Sequence, residues 1–222
     1  APAAGLGPAG PGRGALCRLL RTPTVLLVYL QGASGCVPWS VVLTFTTDYL
    51  AVDAGLGVGA ATAVTLSFSL GCVIGIVVGG QVGQRLQRKS KALLPALMAW
   101  TTFAGMLLLL ALVALPGFRW AGAWSYHALA LLAGSQLAVT TANAKAILLD
   151  TTAPDVRGTA FGLFNIMDDL GKGLGPALVS SCVRLFGRKA ALMLGLSFFA
   201  PCAGFCGLMG CTVAADEAKA HA

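Results

Sequence analysis

Residues 60–91 read AATAVTLSFSLGCVIGIVVGGQVGQRLQRKSK. No charged side chain occurs over 60–83, and Arg85, Arg88, Lys89 and Lys91 follow at once. A helix needs about 20 apolar residues to cross the hydrocarbon core of a bilayer, and Lys and Arg gather in the loops beside such spans. Gly71, Gly75, Gly79 and Gly83 recur at every fourth position, which places them nearly on one helix face. In water those glycines would weaken the helix; in lipid they let two helix backbones approach closely. The stretch therefore reads as a membrane span with a packing face and a basic end.

The rest of the chain repeats the pattern. Of 222 residues, 57% are hydrophobic and 10% charged, against roughly a quarter charged in soluble domains. A mean hydropathy of +0.82 leaves too much apolar surface for a water-soluble fold of this length. Six spans are expected: Thr24–Thr47, Ala60–Gly83, Ala92–Leu115, Trp124–Leu149, Thr159–Cys182 and Ala190–Thr212. The fold class is an all-α membrane protein, a six-helix transmembrane bundle embedded in lipid. Around it, residues 1–21 read as a Gly/Pro/Ala-rich linker and basic juxtamembrane segment, 22–213 as the bundle, and 214–222 as a polar tail. The opening linker, with no signal-peptide pattern, reads as part of something longer.

The net charge of +7 could point to nucleic acid, but the cations lie in short loops between apolar runs, so no nucleic-acid partner is expected. With the N-terminus inside, Arg13, Arg18, Arg21, Arg85, Arg88, Lys89, Lys91, Arg157 and Lys219 fall on the cytoplasmic side, and Arg119, Arg184, Arg188 and Lys189 outside. That bias places both termini in the cytoplasm. Trp120, Trp124 and Tyr126 are expected as interface anchors at the outer end of the fourth span.

Charges inside a span are costly and mark functional candidates. Asp168, Asp169 and Lys172 lie about ten residues into the fifth span, roughly 15 Å deep. Asp168 and Lys172 are four apart and are expected to pair, which leaves Asp169 without a local partner. The plain reading is an internal ion pair that orders the bundle. The functional one is a carboxylate that takes up and carries a proton, because a low-dielectric cavity penalises its charged form. Asn165, Gln31 and Trp39 (next to Pro38) join them as candidates for substrate contact. Asp48 reads as a solvated cap, Asp150 and Arg157 as a loop pair, and Lys145 as a snorkelling lysine.

The seven cysteines are expected as buried thiols, with no C-x-x-C pair and no His or carboxylate beside Cys202 and Cys206 to complete a metal site. No metal or cofactor is expected. Gly32-Ala33-Ser34-Gly35 is similar to the G-x-S-G motif of rhomboid proteases. Those enzymes place the motif on the fourth helix and a His on the sixth. Here it is on the first, and the histidines are His127 and His221. A serine without a base in reach is no nucleophile, so no enzyme is expected.

Gly80-Gln81-Val82-Gly83-Gln84-Arg85-Leu86-Gln87-Arg88-Lys89 resembles the G-x-L-A-D-R-x-G-R-K loop of the major facilitator superfamily. Gly80, Arg85, Arg88 and Lys89 match; Gln84 stands for the family's Asp and Gln87 for its Gly. Gly162, Gly171 and Gly175-Pro176 fit the family's G-x8-G-x3-G-P pattern on a fifth helix, with Val179 and Ser180 in place of Gly-Gly. Pro154-Asp155-Val156-Arg157-Gly158 is similar to the loop before it. The resemblance implies one half, the C-terminal one, of a twelve-helix transporter, partnered by an N-terminal six-helix half. It implies secondary transport by alternating access, with Gly80, Arg85, Arg88, Lys89, Asp155 and Arg157 in gating loops. Gln31-Gly32, Val37-Pro38-Trp39 and Asp48-Tyr49-Leu50 resemble the spinster-like branch, which points to a small organic or lipid-like substrate. The glycine faces of the second and fifth spans read plainly as packing within this bundle; that two helices carry them favours the sharper reading, that they slide against a second bundle. The alternative class is a channel or a non-transporting scaffold.

Overall fold

The computed structural model describes residues 13–117 and 122–220. The linker over 1–12, Arg119 and Trp120, and His221 lie outside the described residues, as does the side chain of Arg13. Among the described residues there are eight α-helices: α1 (Arg13–Arg21), α2 (Pro23–Val52), α3 (Gly57–Lys89), α4 (Leu93–Ala114), α5 (Ala123–Asp150), α6 (Arg157–Phe186), α7 (Arg188–Ser197) and α8 (Phe199–Ala220). Single 3-10 turns lie at Leu115–Gly117 and Pro154–Val156.

The six expected spans appear as α2, α3, α4, α5, α6 and the run α7–α8, with corrections at their ends. The 33 residues of α3 absorb the expected basic loop, so Gly80, Arg85, Arg88 and Lys89 are helical. Gln84 to Lys89 are good helix formers, and Arg88 and Lys89 complement the helix dipole in its last turn. The expected linker ends in α1, whose Leu19 is buried, and α8 continues through the expected tail to Ala220. The sixth span is two helices broken at Phe198. One residue, Gly187, joins α6 to α7, and its φ of +80° is a conformation that suits glycine.

Among the described residues, four runs are both long and apolar enough to cross a membrane: Pro23–Val52, Gly57–Lys89, Leu93–Ala114 and Arg188–Ala220. With 28 and 30 residues, α5 and α6 are as long, but polar side chains such as Asn143, Lys145, Asp168, Asp169 and Lys172 make them less apolar. Many large apolar side chains point outward, Trp124 at 86% exposure among them. Tyr126, expected as a second anchor, is instead buried in the core.

Glycine explains the close packing. A Cβ at Gly71 would strike the carbonyl oxygen of Leu131, and one at Gly75 that of Ser135; Gly79 meets Val139 and Gly83 meets Asn143. Partner numbers rise together, so α3 and α5 run parallel with their backbones in contact. The same holds for α6 and α2, where Gly171 lies on Ala33 and Cys36 and Gly175 on Val37 and Ser40. The Asn143 amide donates to the Gly79 carbonyl (3.2 Å) and to that of Val139 (2.8 Å). Both glycine stripes thus face inward, which corrects the expectation that they slide on a second half. Gly80 and Gly162 have no neighbour where a Cβ would stand. Pro176 is half-buried within α6. The faces turned outward carry aliphatic rows instead, such as Ile166, Leu170, Leu174 and Leu178 on α6.

Two apolar clusters fill the bundle. One gathers Val41, Leu50, Phe68, Leu109, Leu137 and Phe199; the other Val28, Leu94, Met98, Ile147, Phe164 and Met209. The first lies toward the C-terminal end of α2 and the second toward its N-terminal end.

Gly75→Ala is expected to destabilise the protein by about 1–3 kcal/mol, because the neighbouring group is backbone and cannot swing away. Gly80→Ala is expected to stay within about 0.5 kcal/mol of wild type. Thermal unfolding in detergent checks both.

Candidate functional site

Between the two clusters, at mid-height, lies an open cavity of about 530 Å³. On α2 it is lined by Gln31, Gly32, Gly35, Cys36, Trp39, Ser40, Leu43 and Thr44, a stripe of i and i+4 positions. On α5, Leu137, Thr141 and Lys145 form a matching row, and α6 adds Phe164, Asp168 and Lys172. Trp39 and Phe199 pack edge to face, and Trp39 packs likewise on Phe68. The cavity is thus polar near Gln31, Lys145 and Asp168 and aromatic near Trp39 and Phe199.

Asp168 is the centre of the polar end. Its Oδ1 is buried and accepts no hydrogen bond among the described residues. It lies against Gly32, where a Cβ would stand 2.7 Å from that oxygen, so the site needs the glycine. The Cys36 thiol is beside the carboxylate, and Lys172 and Lys145 are the cations that act on it. An oxygen held without a donor costs free energy unless a proton, a moving cation or a solute satisfies it.

Gln31 is buried, and its Oε1 accepts weak hydrogen bonds from the thiols of Cys206 (3.6 Å) and Cys202 (4.0 Å). The thiols thus hold the side chain that the sequence offered as a cavity group.

The ion pairing reverses expectation. Lys172 donates to Asp169 at 3.3 Å, and the two side chains are 54% and 75% exposed. Asp168 is the unpartnered carboxylate. The reason is rotational: successive residues on a helix differ by about 100° of azimuth, and α6 turns Asp168 toward α2 and Asp169 away from the cavity. Asn165 is exposed on that outer side and does not line the cavity.

The ends are tied by other groups. Arg18 pairs with Asp155 (2.5 Å) and Lys91 with Glu217 (2.6 Å). The expected Asp150–Arg157 pair is absent among the described residues. Asp150 instead accepts from Gln87 (2.6 Å), and Arg157 donates to the Thr152 carbonyl (3.2 Å). Arg85, Arg88 and Lys89 form no ion pair among the described residues. At the far end Arg188 pairs with Asp48 and with Asp53 (3.2 Å), so Asp48, though solvent-exposed as expected, also ties α2 to α7.

Sequence reasoning missed Lys145, Thr141, Cys36 and Phe164 as cavity groups. The spacing of Leu137, Thr141 and Lys145 was a usable signal, but a lysine near a helix end also fits snorkelling.

This arrangement of helices is the fold of about half of a solved membrane-protein structure. The chain is similar in structure to a bacterial homologue of the human lysosomal transporter Spinster, solved in an inward-facing, unoccupied conformation, with a TM-score of 0.77 at 15% sequence identity. The likeness covers 97% of this chain and 53% of that one, so the chain spans about half the length of the protein it matches. No protein-family model and no curated protein sequence matches the chain.

Asp168→Asn is expected to leave thermal stability unchanged or raised, since it removes a charge whose oxygen lacks a donor and nearly conserves volume. A clear fall in Tm would contradict the unpartnered state. Asp169→Asn is expected to change stability by less than about 1 kcal/mol, as for exposed pairs.

Proposed function

We propose that this chain is half of a secondary transporter that moves a small organic or lipid-like solute by alternating access. The observation that carries this reading is the mid-height cavity with the buried, unpartnered Asp168 oxygen in the fold of a transporter half. In transporters built from repeats, solute and coupling ion bind near the midplane between two bundles. A second six-helix half would close the open side of the cavity, and the resemblance of the loop motif favours this chain as the C-terminal one. Both termini then lie on the cytoplasmic side, with the basic ends of α1, α3 and α8.

The lining fits an amphiphile. A polar head would meet Lys145, Lys172 and Asp168, and an apolar part would run toward Leu43, Trp39 and Phe199. Asp168 is the coupling group in this reading. It is neutral when protonated and engages Lys172 or Lys145 when charged, so proton binding would bias which way the halves rock. Asp169, which the sequence left free, stays outside this cycle because it pairs with Lys172 on the outer face. Channel or scaffold roles draw support from no feature of the cavity.

In proteoliposomes of the full-length protein, Asp168→Asn is expected to abolish proton-driven uptake, while Asp169→Asn retains it. Equal loss in both variants, or equal retention, would exclude Asp168 as the coupling group. Uptake of an amphiphile unaffected by Lys145→Gln would exclude the head-group placement.

A further inference from the structure

A second cavity of about 530 Å³ opens at the basic end of the bundle, apart from the central one. Its walls are the end of α1 with the Thr22 link to α2, the α5–α6 loop and the end of α8, with Arg18, Arg21, Thr152, Asp216 and Lys219 as the groups that matter. We propose that this cavity binds a phosphate group, carried by a lipid headgroup or free in solution.

Thr152 points to a ligand. Its residue is 2% exposed, it lines the cavity, and its Oγ1 has no hydrogen-bond partner among the described residues. Its neighbour Thr151 differs, since that hydroxyl donates to the Ile147 carbonyl at 2.8 Å. A buried hydroxyl without a partner is costly, and a bound oxyanion would supply the acceptor.

The charges select an anion. Three cations, Arg18, Arg21 and Lys219, line the cavity against one carboxylate, Asp216. Asp216 is already engaged: it accepts from the Thr24 N–H (2.9 Å) and hydroxyl (2.8 Å), and Lys219 lies 3.4 Å away. Its Oδ2 caps α2 from across the bundle, and its Oδ1 is offset by Lys219, so Asp216 leaves Arg18 and Arg21 as the cations open to an anion. Arg18 is shared with Asp155, whereas Arg21 has no ion pair among the described residues. The start of α6 adds a helix N-terminus beside the loop with no side-chain cap. Arginine forks, a hydroxyl and a helix N-terminus together match the several acceptor oxygens of a phosphate. Basic pockets between membrane helices at a cytoplasmic surface bind phospholipid headgroups by the same chemistry.

The test uses the full-length protein in detergent, titrated with dioctanoyl phosphatidic acid, with inorganic phosphate and with dioctanoyl phosphatidylcholine, read by calorimetry and thermal shift. Saturable binding and a raised Tm are expected with phosphatidic acid. Saturation by inorganic phosphate as well would assign the site to free phosphate, and its absence to a lipid headgroup. Arg21→Gln and Thr152→Val are each expected to weaken binding about tenfold, with unliganded Tm near wild type. Arg85→Gln, a cation at the same end outside the cavity, is expected to leave binding unchanged. The proposal is overturned by no saturable binding, by phosphatidylcholine binding as well, by indifference to Arg21→Gln, or by an equal loss in Arg85→Gln. If Thr152→Val fails to fold, Arg21→Gln decides alone.

Discussion

The bundle depends on backbone-to-backbone contact between parallel helices. In lipid no hydrophobic effect pulls helices together, so close van der Waals packing has to do so. Glycine at every fourth position of α3 brings that helix onto the carbonyls of Leu131 and Ser135, and Gly171 and Gly175 bring α6 onto α2 in the same way. The Asn143 amide adds a polar tie by donating to Gly79. These two helix pairs make the closest backbone contacts, and α4 and α8 pack around them.

The cavity follows from that arrangement. The two apolar clusters fill the bundle above and below, and the side chains between them leave a gap at mid-height. Gly32 lets Asp168 approach α2 so closely that Oδ1 is buried without a hydrogen bond of its own among the described residues, with the weakly donating Cys36 thiol beside the carboxylate. The same device that packs the helices thus sets a carboxylate where its charge is hard to hold. Lys172 and Lys145 stand by, but Lys172 is drawn outward by Asp169.

Much of this was legible in the sequence. Apolar run lengths gave six spans, because lipid thickness is a hard constraint, and the four-residue glycine period gave the packing faces. What each face packs on was not legible: Gly75 reads the same whether it meets α5 or another bundle. The Asp168/Asp169 assignment failed for a related reason. Spacing told which residue could reach Lys172, but the azimuth of α6 decided which one did. The basic loop was misplaced because Arg and Lys mark a membrane boundary without ending a helix. Lys145 was read as a boundary group because depth along a span carries no information on whether a cavity adjoins it. Thr152 and Arg21 gave no signal, since their cavity joins segments more than a hundred residues apart.

Alternating access, as proposed, requires the mid-height cavity to open to opposite sides of the membrane in turn. It is tested most directly by the reactivity of Thr141→Cys, a wall position free of the packing contacts, in full-length protein whose native cysteines have been replaced. The account predicts labelling by a membrane-impermeant maleimide from one side when a proton gradient is applied in one direction, and from the other side when it is reversed. Labelling only by a lipid-soluble reagent, or from one side under every gradient, would contradict it.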